Sequence, residues 1–290
     1  FLANYHALTS SPKGEDLKSN TISVILDYLA LGLDPEKSTL FLQSDVPEHA
    51  ELSWILSNIS PMGLLERAHS YKDKVAKGIK PNVGLFTYPI LMAADILMYS
   101  PDIVPVGKDQ KQHLEITRDL AQRFNRVYGE DIFTVPEILL GTDGTRVMSL
   151  QEPTKKMSKS DDNQTATVYL LDTPKDIEKK IKRAQTDSDN AVRYDAAAKP
   201  GISNLMDIYA AVTEKRHEDI EREFAGQGYG NFKKAVAEAV ISVLEPIQQR
   251  YEKLIGAPEL DDILTKGAEK AHAEAGKTYE KVIRAMGLYR

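Results

Sequence analysis

Hydrophobic and polar positions follow two alternating patterns over the first 140 residues. Short apolar runs bounded by turn residues predict strands at residues 1–10, 38–46, 102–106 and 133–140. Between them, apolar residues recur at helical spacing, which predicts helices at residues 17–33, 48–58, 63–74, 87–100 and 109–127. Strands and helices that alternate with short connections favour a parallel sheet covered by helices on both faces.

The pattern changes near residue 172, beyond which long charged segments with helical spacing replace the strand signals. We therefore predict two domains. Residues 1–172 form an α/β domain with a Rossmann-like, doubly wound parallel sheet and a mostly helical insertion at about residues 10–83. Residues 173–290 form an all-α domain.

Composition narrows the class of protein. The chain of 290 residues has a formal net charge of −6 and no cysteine, which excludes a disulfide scaffold, a thiolate metal site and a cysteine nucleophile. The six histidines lack metal-ligand spacing, so we predict no metal site made of protein ligands. The absence of cysteine also favours a cytoplasmic protein, and no apolar run is long enough to span a membrane. Because the chain is acidic, any contact with nucleic acid requires a local basic patch.

A cluster of lysines and serines follows the strand-rich region, in Lys156-Met157-Ser158-Lys159-Ser160. Lysines this close repel one another, and their spacing does not put them on one helix face. Most such clusters are solvated turns. The alternative is a mobile loop that meets a ligand with several negative charges, which the two ammonium groups would stabilise.

A carboxylate interrupts the apolar helix predicted at residues 87–100. Tyr88, Met92 and Asp95 fall at i, i+4 and i+7 and so share one face. A buried carboxylate is costly unless it is paired. One explanation for Asp95 is a structural ion pair or a hydrogen bond from helix to loop. The other is a ligand that carries an N–H donor in an apolar body, a description that fits an indole.

A glycine turn joins the strand predicted at residues 102–106 to the helix that follows. Gly107, Lys108, Asp109 and Gln110 would lie at the carboxyl edge of a parallel sheet, where ligands of such folds bind. A structural role is the alternative, in which Asp109 caps the helix as part of a capping box with Gln112. His113, taken alone, is typical of an ordinary packed residue.

Several segments together carry a family resemblance: YHALT, LMAADIL, VPVGKDQKQH, RVMSL, KKMSKS and KPGISNLMDIY. They resemble the bacterial-type tryptophanyl-tRNA synthetases, which are class I aminoacyl-tRNA synthetases. The resemblance implies that Asp95 accepts the indole N–H, that Met92 shapes the ring pocket, and that Tyr88 and Gln110 hold the amino-acid head group. It also implies a place near the pocket for His6.

The same resemblance implies an ATP site. The contacting residues would be Gly107, Lys108 and Asp109 in the turn, Val147 at the adenine, and the loop of Lys156, Met157, Ser158, Lys159 and Ser160. Lys156 and Lys159 would be catalytic, because they meet the charge of the departing pyrophosphate. The implied reaction joins L-tryptophan to ATP and then to tRNA(Trp), with Mg²⁺ accompanying ATP. The region 173–290 would read the anticodon, and apolar surfaces in residues 47–65 would form a homodimer. No DNA or membrane partner is implied.

Two departures from the family pattern are visible. Asp162 stands where the family has proline, which predicts a looser loop. The HIGH-type motif is missing before YHALT, so we expect the natural protein to extend upstream of Phe1. The alternatives are a tyrosyl-type synthetase, which shares the fold and the lysine loop, and a non-catalytic tRNA-binding relative. Trp54 is expected in the core or an interface, and residues 179–183 on a solvated face or against tRNA.

Overall fold

The computed structural model of the protein describes residues 1–68, 82–129, 131–141, 146–159 and 161–289. Their contacts form two compact units. The first unit combines two segments, Phe1–Thr142 and Leu254–Arg290, and the second is the continuous segment Asp143–Lys253. The helices and strands in chain order are α1 (Asn4–Ala7), α2 (Gly14–Ala30), α3 (Glu48–Ser57), α4 (Met62–Glu66), α5 (Val83–Leu97), β1 (Ile103–Val106), α6 (Lys111–Tyr128), β2 (Glu137–Leu140), α7 (Pro174–Lys182), α8 (Pro200–Thr213), α9 (His217–Glu223), α10 (Gly228–Leu254) and α11 (Glu259–Ala285).

The sheet of the first unit pairs β1 with β2 in parallel, in register from Ile103 with Glu137 to Val106 with Leu140. Helix α6 makes the crossover between the two strands, as a parallel pair requires. The strand–helix–strand order predicted for residues 102–140 is therefore confirmed.

The strands predicted at residues 1–10 and 38–46 are much shorter than expected. They meet in a single parallel bridge between Leu2 and Leu42. Immediately beyond it, Nδ2 of Asn4 donates to Oγ of Ser44 at 2.7 Å, and the backbone N–H of Ser44 donates to Oδ1 of Asn4 at 3.0 Å. These side-chain bonds satisfy groups that a longer ladder would use, so both segments turn away into helical structure.

The core of the first unit lies where α3, α5 and α6 pack together. Leu56, Ile90, Leu120 and Phe124 are almost completely buried there, among further side chains of the same cluster. Helix α5 begins earlier than predicted, because Oδ1 of Asn82 caps it by accepting from the N–H of Leu85 at 2.7 Å. The helix predicted at residues 87–100 would have Pro89 in its first turn, whereas the observed helix has Pro89 in its interior.

Helix α11 completes this unit from the distal part of the chain. Its residues Ala271, Ala275 and Val282 are buried in the same core as α3. At Gly267 the helix approaches the backbone so closely that an added Cβ would lie 1.8 Å from the carbonyl oxygen of Leu40. Only glycine permits this approach.

The second unit is built on four helices, α7 to α10. Its core contains Ile202, Leu205, Phe232 and Val236, all fully buried. The helical structure predicted beyond residue 172 is confirmed for α7 to α11. The compact units divide at other positions than residue 172, because α11 packs on α3 and residues 146–172 pack with the helices that follow them. The functional division into catalytic and anticodon-binding domains stays a prediction. Among the described residues, no helix combines the length and apolarity needed to cross a membrane.

Candidate active site

The carboxylate of Asp95 lies at the centre of a buried network of hydrogen bonds in the first unit. Its Oδ1 lies 2.7 Å from Nε2 of Gln43 and 2.7 Å from Nδ1 of His49. Its Oδ2 lies 2.7 Å from Nε2 of His6. Gln43 and His49 are completely buried, whereas the side chain of His6 is 21% exposed. Asp95 therefore has structural partners within the chain, as one of the two explanations for this buried carboxylate required. Of these partners, the one on Oδ2 reaches solvent.

Hydrogen bonds set the charge of this carboxylate. Burial acts to raise the pKa of Asp95, but hydrogen bonds from His49 and His6 and the nearness of both rings outweigh burial and lower the pKa below its usual value. Asp95 is therefore an ionised acceptor inside an apolar helix at neutral pH.

A tyrosine hydroxyl holds the far side of the His49 ring. A carboxylate can only accept, so Nδ1 of His49 carries the proton shared with Asp95. In the neutral ring, Nε2 then accepts the hydroxyl proton of Tyr99, whose oxygen lies 2.9 Å away. Burial, with the charges of Asp95 and Glu48, raises the pKa of Tyr99, so the hydroxyl keeps its proton.

Three of the residues predicted to bind the substrate amino acid lie on the same helix. Tyr88, Met92 and Asp95 lie along α5 at the spacing that puts them on one face. The rings of His6 and Tyr88 meet edge to face with centroids 6.1 Å apart, on the same side as the bond from His6 to Asp95. The hydroxyl of Tyr88 lies 2.6 Å from Nε2 of the buried His113. His113 is packed, as expected, and also holds a predicted site residue.

The glycine turn follows β1 at the carboxyl edge of the parallel pair. The N–H of Gln110 donates to the carbonyl of Gly107 at 3.0 Å, closing a single 3₁₀ turn before α6. The Asp109 carboxylate accepts from the Gln110 side chain at 2.9 Å, and a Cβ at position 107 would lie 2.7 Å from it. Helix α6 starts at Lys111 without a side-chain cap, which rules out the alternative of a capping box formed by Asp109 and Gln112. Lys108 and Asp109 are exposed.

In the second unit, the two segments predicted at ATP form a short antiparallel pair. Met148 and Lys156 form a β-bridge. On either side of it, the N–H of Met157 donates to the carbonyl of Val147 at 3.1 Å, and the N–H of Ser149 donates to the carbonyl of Lys155 at 2.9 Å. Val147 and the start of the lysine loop therefore lie side by side. Lys156, Ser158 and Lys159 are exposed, while Met157 packs against the core of this unit. Ser160 lies outside the described residues.

Two polar side chains anchor this pair. Asn204 of α8 bonds to both backbone groups of Met148 at 2.8 Å, and the hydroxyl of Thr167 donates to the carbonyl of Ser158 at 2.9 Å. Beyond the loop, Asp161 and Asn163 accept from backbone N–H groups two residues further on. The exposed Asp162 thus lies within a segment held by local turns.

Some residues of the site escaped the sequence prediction. The hydrogen bonds that join His49, Gln43 and Tyr99 to the Asp95 network were not predicted from the sequence. The available signal was the polar QSD sequence directly after an apolar run, at the expected carboxyl edge of a strand. For Asn204, the signal was an amide in the apolar segment ISNLM.

Comparison with known proteins gives a consistent result. Residues 1–245 match the family described as tRNA synthetases class I (W and Y). The tryptophan–tRNA ligase of Oceanobacillus iheyensis is 53% identical over 289 residues, covering 100% of this chain and 88% of that protein. The crystal structure of tryptophanyl-tRNA synthetase from Campylobacter jejuni, complexed with ADP and tryptophan, has a TM-score of 0.86 at 42% identity and covers 98% of this chain and 88% of that one. The tyrosyl-tRNA synthetase of Aeropyrum pernix shares the fold alone, with a TM-score of 0.61 at 20% identity over 91% of this chain and 77% of that one.

The chain belongs to the class I tRNA synthetases of the W and Y family. It is therefore an ATP-dependent aminoacyl-tRNA ligase, with a Rossmann-like parallel sheet and a helical C-terminal region. Its 53% identity over the whole chain is to a tryptophan–tRNA ligase, so the tyrosyl-type alternative is not favoured.

Proposed function

We propose that this ligase activates L-tryptophan with ATP, releases pyrophosphate, and transfers the tryptophanyl group to tRNA(Trp). The observation that carries the proposal is the Asp95 carboxylate, an ionised acceptor in an apolar helix. Its Oδ2 is bonded to the partly exposed His6. The bound tryptophan and ADP of the Campylobacter jejuni relative support both substrates.

In this proposal Asp95 accepts a hydrogen bond from the indole N–H, and Met92 packs against the side of the ring. Tyr88 and Gln110 are assigned to the amino-acid head group, and His6 to the mouth of the pocket. The shared face of α5 and the contact between His6 and Tyr88 support this assignment. A site that pairs a buried acceptor with an indole N–H rejects analogues without that donor, because the carboxylate would lose a partner.

ATP is assigned to Gly107, Lys108 and Asp109, to Val147 at the adenine, and to the lysine loop including Ser160. No covalent intermediate with the protein is needed, because positioning and charge stabilisation lower the barrier. Lys156 and Lys159 stabilise the negative charge that develops on the leaving pyrophosphate. Their exposure, and the pairing of their loop with Val147, support this role.

Mg²⁺ is proposed as the companion of ATP, held mainly by phosphate oxygens and water, as is usual at nucleotide sites. The described residues contain no group of three His, Asp or Glu that could hold a metal ion by themselves. The metal would spread the charge of the triphosphate during nucleotide transfer.

The helical region 173–290 is assigned to the anticodon of tRNA(Trp). Lysines of α7 and α10 support this assignment, since Lys182, Lys233 and Lys234 line a pocket of about 550 Å³. Glu178 and Glu238 line the same pocket, so the excess of positive charge that could meet phosphates there is small. The absence of cysteine fits a cytoplasmic enzyme.

A homodimer is proposed through the apolar face around α3. Trp54 is 72% exposed, so its predicted place in the core is wrong and its place in an interface stays a prediction. Leu8, Met62 and Val83 are also exposed. Between these elements lies a pocket of about 410 Å³, lined by Leu8, Ala50, Thr87 and Leu91 among others, and also by Tyr88, the residue assigned to the amino-acid head group. A large exposed aromatic beside an apolar pocket is typical of an interface.

Amino-acid-dependent ATP–pyrophosphate exchange tests the assignment of Asp95. Replacing Asp95 with Asn keeps the shape and removes the charge. We expect the preference for tryptophan over phenylalanine to fall by about 100-fold or more. Asp102→Asn, at an exposed position before β1, is the matched control and should leave the preference unchanged. Exchange with tyrosine would instead support a tyrosyl-type enzyme, and no exchange with any amino acid would support a non-catalytic relative.

A further inference from the structure

We propose that His49 is a positioning residue for tryptophan selection, which holds Oδ1 of Asp95 so that Oδ2 is the oxygen presented to the substrate. This inference rests on the proposed role of Asp95 as acceptor of the indole N–H. His49 does not touch the substrate in this proposal. It acts through the carboxylate.

The hydrogen bonds of the two Asp95 oxygens are unequal. Oδ1 takes two donors, Gln43 and His49, both completely buried. Among the described residues, Oδ2 takes one donor, His6, whose side chain reaches solvent. A carboxylate with one oxygen held by two buried donors is fixed in its plane, and its second oxygen points in one direction. The replaceable donor therefore lies on Oδ2.

The orientation of His49 is itself determined. Its Nδ1 proton is committed to Asp95, and its Nε2 forms a hydrogen bond with the hydroxyl of Tyr99, whose oxygen lies 2.9 Å away. The ring also packs against Phe41 and Tyr99, with centroid distances of 6.2 Å and 5.5 Å. Hydrogen bonds at both ring nitrogens thus fix the orientation of His49, and a partner that orients an acceptor in this way sharpens recognition.

A purely structural role for His49 predicts a different effect of its replacement on substrate selectivity. If His49 only fills the core, its replacement would weaken the response to every amino-acid substrate by a similar factor. If His49 positions Asp95, its replacement would weaken recognition of the N–H donor selectively. The discriminating substrate is 3-benzothienylalanine, which has nearly the shape of tryptophan and carries sulfur in place of the N–H.

The experiment measures kcat/KM for tryptophan and for 3-benzothienylalanine in ATP–pyrophosphate exchange, with the full natural chain. His49→Leu removes the donor, and we expect it to lower the ratio of the two values by about tenfold, the loss of one hydrogen bond to a charged group. His49→Asn places an amide donor near Nδ1 and should recover most of the ratio. Tyr99→Phe keeps the ring, removes the hydroxyl, and should lower the ratio by about threefold or more.

The outcomes separate the two proposals. If Asp95→Asn lowers the ratio while folded His49→Leu and Tyr99→Phe leave it unchanged, the positioning role is overturned and the role of Asp95 stands. If Asp95→Asn also leaves the ratio unchanged, the assignment of Asp95 fails, and the role of His49 fails with it. If His49→Leu does not fold, Tyr99→Phe and His49→Asn decide, since a ratio unchanged in Tyr99→Phe contradicts the inference.

Discussion

Nε2 of His6 lies 2.7 Å from Oδ2 of Asp95, so a residue near Phe1 holds a carboxylate in the last turn of α5. The bond joins a partly exposed ring to a buried oxygen. The charge of Asp95 therefore stabilises the first unit as well as serving the proposed site, and the two contributions can be measured separately.

The stability contribution depends on pH. Burial alone would raise the pKa of Asp95, but hydrogen bonds from His49 and His6 outweigh it, so the folded pKa lies below the usual value of 3.8. A lowered folded pKa stabilises the fold above about pH 4, and this stabilisation is lost as pH falls through the folded pKa. We expect Asp95→Asn to be less stable by about 2 kcal/mol at pH 7 and the difference to shrink towards pH 3. Urea unfolding at several pH values measures this, and a constant difference would contradict it.

The lysine loop is expected to act on the transition state more than on binding. Lys156→Ala or Lys159→Ala should each slow adenylate formation by about 2–4 kcal/mol of barrier, by analogy with donors that stabilise an oxyanion. Tryptophan affinity should change much less. Lys155→Ala is the matched control, because this neighbouring exposed lysine is paired with Glu152. Rapid-quench measurement of adenylate formation decides, and equal rates for all three variants would disprove the role.

Two glycines of α11 provide a test of packing. A Cβ at Gly267 would lie 1.8 Å from the Leu40 carbonyl oxygen, whereas a Cβ at Gly276 meets no atom within 4 Å. Gly267→Ala should destabilise the protein by about 2 kcal/mol or more through overpacking. Gly276→Ala should be neutral or stabilise it by up to about 1 kcal/mol, because alanine favours the helix. Thermal unfolding of the two variants compares them, and equal melting temperatures would be inconsistent with the close approach at Leu40.

The proposed dimer depends on the apolar face around α3. Trp54→Glu places a charge at its most exposed aromatic and should shift the protein from dimer to monomer. Val127→Glu introduces the same charge at another exposed apolar position, near the end of α6, and should leave the assembly unchanged. Analytical ultracentrifugation gives the masses. A wild-type monomer, or a dimer unaffected by Trp54→Glu, would rule out this interface.

Local pattern was sufficient for much of the fold. The apolar spacing of residues 109–127 and the IVPV run predicted α6 and β1 closely, because α6 buries one face and β1 pairs with the next strand along the chain. The strands near Leu2 and Leu42 were overestimated, because the bonds between Asn4 and Ser44 that end them join residues 40 positions apart. The hydrophobic pattern of one segment cannot predict a hydrogen-bond partner that is distant in sequence.

Some residues of the candidate site could be predicted from local sequence, and others could not. Asp95 could be found from sequence, because a carboxylate in an apolar helix is an anomaly at its own position. His49 could not, because a histidine in a mixed helix looks ordinary until α3 packs against α5 and brings Nδ1 within 2.7 Å of Asp95. The Tyr99 hydroxyl was hidden for the same reason, since its partner lies 50 residues away.

Helix α11 has a consequence for the order of events during synthesis. Because Ala271, Ala275 and Val282 belong to the core that α3, α5 and α6 build, the first unit lacks part of its core until residues 259–285 have left the ribosome. The second unit is continuous, and all of its residues emerge earlier. Domains generally fold as units during translation. We therefore expect residues 143–253 to fold first. Residues 1–142 would keep part of their core exposed until α11 packs against it.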